Sequence, residues 1–229
     1  MRTVATLAAV ALLAAFVMLP GSATATTVNT FPGWDGSSEI CCFGYPNTST
    51  YGEAITSPGG TLQNFSFWLN ENPGFEFQAY VGTWTGTSVG SLLYSSPILT
   101  QTSGGLQEFT VNNVNVNTVA GQQYVLFVSI DGEYAYDQAF GSGGMGGTLG
   151  SNGNSTYNFD WSNDSGNSAL WFSNWNATGC ADPNGRCGQA AFLATFGSGG
   201  SVPEPASLVL LGSGLLGLGG LARKRIHKA

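Results

Sequence analysis

The chain has 229 residues, 34 of them glycine, and only 8% are charged, where an ordinary soluble domain carries about 25%. Its formal net charge is −7. Five of the six bases (Arg2, Arg223, Lys224, Arg225 and Lys228) lie at the two ends, leaving Arg186 alone in the middle, while every acid except Glu204 falls between Asp35 and Asp182. An acidic body with one base excludes a nucleic-acid binder, because phosphate contacts need Lys and Arg. The only histidine is His227, so the body cannot build a Ser-His-Asp or Cys-His centre or a histidine-ligated metal site.

Residues 1–25 read as a secretory signal. Arg2 supplies the basic start, Val4 to Leu19 is apolar apart from threonine, and Pro20-Gly21 breaks the run. Ala23-Thr24-Ala25 is a small-residue cleavage site, so cleavage is expected before Thr26.

Residues 26–197 read as one all-β domain, a β-sandwich or jelly roll. Leu62 to Leu69 and Phe75 to Val81 alternate, and in the second run Phe75, Phe77, Ala79 and Val81 share a face. Further strands are expected at 91–94, 106–111, 123–130, 134–140, 157–161, 169–172 and 189–196. Asn72-Pro73-Gly74, Asp131-Gly132 and Asn184-Gly185 are turn signals between runs. Many short strands at fairly even spacing fit a sandwich. Gly141-Ser142-Gly143-Gly144-Met145-Gly146 spells a dinucleotide-binding fingerprint. No helix pattern follows it, so residues 141–153 are expected to be a long loop and not a nucleotide cradle.

Four cysteines invite pairing in an exported chain. Cys180 and Cys187 enclose a short loop and read as a local disulfide. Cys41 and Cys42 are adjacent, and either bridge each other or each join one of the later pair. The spacings do not match a zinc site. No cofactor is expected. Asp131-Gly132-Glu133 and Asp160-Trp161-Ser162-Asn163-Asp164 offer oxygen ligands for a structural calcium without matching the twelve-residue calcium loop. The acids Glu53, Glu76, Glu108, Glu133, Asp137 and Asp160 could in principle supply the carboxylate pair of a glycoside hydrolase, but no motif surrounds them, and a solubilising acidic surface is expected instead. Trp161, Trp171 and Trp175 sit among asparagines and suit an aromatic platform for sugar rings. Trp68 and Trp84 are expected in the core.

After a linker at 198–201, the tail spans residues 202–229. It opens with Val202-Pro203-Glu204-Pro205, continues with an uncharged Leu/Gly-rich run from Ala206 to Ala222, and ends in Arg223-Lys224-Arg225. At about 1.5 Å per residue the run is about 25 Å long, near the lower limit for a membrane span. The basic cluster holds the C-terminus on the cytoplasmic side, with the body outside. This three-part tail resembles the PEP-CTERM sorting signal of Gram-negative bacteria. The resemblance covers about a tenth of the chain. It implies that Val202, Pro203, Glu204 and Pro205 are a recognition site for an exosortase-type membrane protease, which cuts nearby and releases or re-attaches the body. It also implies transient residence in the inner membrane, a destination at the cell surface or in the extracellular matrix, and a host that makes exopolysaccharide. The expectation is an exported, non-enzymatic surface or matrix protein. The alternative is a carbohydrate-binding module acting on extracellular polysaccharide.

Overall fold

A computed structural model of the chain describes residues 25–131, 141, 143–151, 157–162, 167–177 and 187–197. The signal, the linker, the tail and the strand expected at 134–140 lie outside the described residues. The chain divides into two units, of which one, Ala25–Gly199, holds everything described below.

The strands in chain order are β1 (Thr26–Asn29), β2 (Glu39–Cys41), β3 (Thr50–Thr56), β4 (Gly60–Asn70), β5 (Glu76–Trp84), β6 (Val89–Ser95), β7 (Leu99–Thr100) and β8 (Leu106–Val111). They continue with β9 (Val116–Thr118), β10 (Gln123–Ser129), β11 (Gly144–Ser151), β12 (Asn158–Ser162), β13 (Asn176–Ala177), β14 (Cys187–Ala190) and β15 (Phe192–Gly197). They form two antiparallel sheets. The eight-stranded sheet runs β1-β15-β4-β11-β14, with β2 on β11 and β8 and β9 on β4; the seven-stranded sheet runs β13-β12-β3-β10-β5-β6, with β7 on β5.

Alternation decides which side chains meet between the sheets. In β4, Phe65, Phe67 and Leu69 face inward; in β5, Phe77, Ala79 and Val81 do, joined by Phe75 just before the strand. The rings interlock across the gap: Phe67 lies 5.9 Å from Phe77, and Phe109 of β8 is stacked on Phe67 at 5.6 Å and edge-on to Phe77 at 5.0 Å. Each fully buried ring of this kind contributes about 1.5–3 kcal/mol. One core continuous between two sheets makes this a sandwich. The Asn72-Pro73-Gly74 turn forms as expected. Phe75 N donates to Asn72 O at 3.0 Å, and Gly74 takes a φ of +91° that glycine alone adopts without cost.

Two expectations fail for stated reasons. Residues 168–172 are a short 3-10 helix and not a strand. The Asn167 side chain accepts from Ala169 N at 3.2 Å, and Leu170 N donates to Asn167 O at 2.9 Å, so a local cap outweighs the apolar alternation. The glycine-rich run expected as a loop holds strand β11. Glycine is needed there because neighbours crowd the backbone: a Cβ on Gly144 would lie 2.8 Å from Ile40 O, and one on Gly147 would lie 2.9 Å from Ala190 Cα.

Candidate functional site

The outer face of the seven-stranded sheet is fixed by register. Asp160, Gly52, Phe127 and Tyr80 stand side by side on β12, β3, β10 and β5. Because directly opposed residues share a face, and their neighbour Phe159 belongs to the inner core, these four point outward. The segment 168–175 lies over Tyr80, Phe127 and Gly52 as a strap, and 176–177 then joins the sheet edge as β13. Trp171 packs on Tyr80 at 4.7 Å and on Phe127 at 5.2 Å. Trp175 packs edge-on to Phe127 at 5.5 Å and to Trp84 at 5.4 Å, and its Nε1 donates to Trp171 O at 2.9 Å. Both rings are buried. Trp161 is opposite Tyr51, points to the other side of the sheet and is packed against the inner core. The three tryptophans expected as a sugar platform are therefore not one surface. Two are closed in by other rings, and the third faces the opposite way. Trp84 is buried as expected.

Asp160 is buried on β12 between Gly52 and Ala177, and burial holds its carboxyl well above the usual range, at about 7. Glu53, one residue along β3 from Gly52, points into the sandwich. Its Oε2 accepts from Ala190 N of the other sheet at 2.9 Å, while its Oε1 is buried with no partner. Burial pushes its carboxyl up, and the charge of Asp160 adds to that. The two acids sit on adjacent strands but on opposite faces, both closed to solvent, so they do not form a hydrolytic pair across a groove. Glu108 is exposed on the other sheet, Glu76 is half-buried in β5, and Glu133 and Asp137 lie outside the described residues.

At one end of the outer row, Thr50, Ser129, Gln78 and Asp131 are buried together. Thr50 Oγ1 and Ser129 Oγ are 2.7 Å apart, Asp131 N donates to Ser129 Oγ at 3.0 Å, and the Tyr80 hydroxyl donates to Gln78 Oε1 at 3.0 Å. These groups largely satisfy one another. Among the described residues, no group of three or more His, Cys, Asp or Glu side chains could hold a metal ion; Glu133 and 163–164 lie outside them. Cys41 and Cys42 are bonded to each other through sulfur. Cys180 lies outside the described residues, as does the side chain of Cys187.

The outer face of the eight-stranded sheet carries residues that sequence reasoning missed. Phe67 and Leu69 point inward, so Trp68 between them points out and is only half-buried, contrary to its expected place in the core. Trp34 lies against it, ring centroids 5.0 Å apart at 54°. The alternation of β4 was a sufficient signal for Trp68. Nothing local signalled Trp34, which arrives from a loop.

The tail carries the identification that the body does not. Residues 201–225 match the PEP-CTERM protein-sorting motif, covering Val202 to Pro205, the Leu/Gly run and Arg223-Lys224-Arg225. The chain is thus an exported, β-rich protein with a sorting tail. More particularly, it carries the motif read by an exosortase, a membrane protein, and its processing is associated with the membrane. No helix among the described residues is long and apolar enough to cross a membrane; residues 206–222 lie outside them. No curated protein and no solved structure matches the chain.

Proposed function

We propose that this is a non-enzymatic surface or extracellular-matrix protein whose β-sandwich is the delivered cargo. The sorting motif at 201–225 carries the reading. The signal at 1–25 directs export and is removed after Ala25. The span 206–222 then holds the chain in the inner membrane, with Arg223-Lys224-Arg225 as the stop on the cytoplasmic side. The exosortase cuts near Pro203-Glu204-Pro205, and the sandwich passes to the surface or matrix. A binding role supports this class better than catalysis, because Glu53 and Asp160, the acids held furthest from their ordinary behaviour, are sealed from any substrate.

The test is intact mass of the protein from its native host, with and without the exosortase gene. Loss of residues 1–25 in both strains, and of the segment beyond about Pro205 only with the enzyme present, is the expected result. Added mass at the new C-terminus identifies covalent transfer. A tail retained in both strains overturns the reading.

A further inference from the structure

The outer face of the eight-stranded sheet holds a prepared aromatic site. Register sets Glu108 directly beside Trp68, and Glu39 directly beside Gly146 on the far side. Gly146 lacks the side chain that would fill the space next to Trp68: a Cβ there would sit 2.7 Å from Trp34 Cζ2 and 3.0 Å from Trp68 Cβ. That vacancy lets the Trp34 ring settle against Trp68. The loop that delivers Trp34 is tied in place. Asp35 Oδ1 accepts from Ser37 N at 2.8 Å and from Ser38 N at 2.7 Å. Ser38 O then accepts from Trp34 Nε1 at 2.9 Å and from Gly147 N of β11 at 3.0 Å. The two rings form a bent, half-exposed apolar strip held by both its own loop and the sheet.

The rim is polar and bears acceptors. Asn70 Nδ2 donates to Glu39 Oε1 at 2.9 Å and to Oε2 at 3.1 Å, which leaves the remaining lone pairs of that carboxylate facing solvent. The hydroxyls of Ser66 and Thr110 are 2.8 Å apart one step along β4 from Trp68. Glu108 and Thr110 are exposed. No lysine or arginine occurs among the described residues, so nothing here attracts phosphate, sulfate or uronate. An aromatic strip ringed by carboxylates, an amide and hydroxyls matches one ligand chemistry: a neutral hexopyranose, whose C–H face packs on indole while its hydroxyls donate to acceptors.

We infer that Trp34 and Trp68, with Glu39, Asn70 and Glu108 as rim, form a binding site for neutral hexopyranose chains. The site gives the delivered sandwich a ligand class, and it depends on the sheet alone, not on the tail. The sorting experiment reads the mass of the tail and this one reads the sheet, so either reading can fail without the other.

The full chain is titrated with cellohexaose, with mannohexaose and with a guluronate hexamer, followed by calorimetry and by tryptophan fluorescence. Binding of at least one neutral oligomer at about millimolar Kd is expected, with a fluorescence change and no response to guluronate. Trp68→Ala weakens binding at least about tenfold, which is about 1.4 kcal/mol. Phe172→Ala, at an exposed position on the strap, leaves binding unchanged. Should Trp68→Ala fail to fold, Glu108→Ala decides, because its side chain is exposed on the strand surface: an approximately threefold weakening supports the site. No heat from either neutral oligomer up to about 10 mM, preferential binding of guluronate, or wild-type affinity in Trp68→Ala or, where that fails to fold, in Glu108→Ala overturns it.

Discussion

The two outer faces of the sandwich both place a tryptophan over a glycine, and they use it differently. On the seven-stranded sheet, Trp175 lies over Gly52 and is sealed among Phe127, Trp84 and the backbone of Trp171. On the eight-stranded sheet, Trp34 lies over Gly146 and has only Trp68 as an aromatic neighbour among the described residues. The first arrangement is a second small core, containing Ala54, Tyr80, Trp84, Val89, Val125, Phe127, Trp171 and Trp175. The second leaves each indole partly exposed. Burial of an indole contributes to stability where both faces are covered. Where one face stays wet, the residue adds little to the fold and is free to bind.

The largest effect follows from that difference. Trp175→Ala removes a fully covered ring and opens a cavity against Phe127 and Trp84, so it should cost about 3–5 kcal/mol. Trp34→Ala removes a half-covered ring from a loop and should cost about 1 kcal/mol or less. Urea unfolding of the two variants measures both. Equal losses would erase the distinction between a closed and an open face.

The closed face also carries a buried acid, and its sign can be worked out. Burial raises Asp160 from 3.8 to about 7 in the folded state. The folded protein therefore holds that proton more tightly than the unfolded chain does. The contribution is full below about pH 3.8 and is lost as pH rises toward about 7, by about 1.4 kcal/mol per pH unit. Glu53 is shifted in the same direction and adds to the trend. The urea midpoint should accordingly fall between pH 5 and pH 7, against the usual acid sensitivity of proteins. Asp160→Asn should flatten much of that slope. A midpoint that rises with pH over the same window would mean that Asp160 is ionised and partnered on β12.

How much of this was legible depends on whether the cause was local. Phe75, Phe77, Ala79 and Val81 were assigned to one face from their spacing alone, and all four belong to the inner core. The parity of β4 equally implied that Trp68 faces out, yet a large apolar residue was assigned to the core on its chemistry. Strand β11 was illegible because its glycines answer to crowding by Ile40, Trp34 and Ala190, residues far away in sequence. The strap misled for a similar reason. Ala169 to Phe172 reads as a strand, but the cap at Asn167 and the rings beneath Trp171 turn it into a cover. The sorting tail was legible in full because its recognition rests on consecutive residues and needs no fold.

The smallest expected effect tests the comparison at its two glycines. A Cβ at Gly52 would meet Trp175 Cζ3 at 2.9 Å, Phe127 Cβ at 3.0 Å and Val125 Cγ2 at 3.0 Å, all held within the closed face. Nothing there can yield cheaply, so Gly52→Ala should cost about 1–3 kcal/mol as an overpacked core does. A Cβ at Gly146 would meet Trp34 Cζ2 at 2.7 Å and Cη2 at 2.8 Å, the far end of a half-exposed ring on a loop. That ring can tilt outward at the loss of its Nε1 hydrogen bond to Ser38 O, so Gly146→Ala should cost about 1 kcal/mol. Its signature is optical: tryptophan emission should shift to the red as Trp34 becomes wetter, with the unfolding midpoint only slightly lowered. A large stability loss without a spectral shift would show that Trp34 is pinned as firmly as Trp175, and the open face would then be a second cover and not a binding surface.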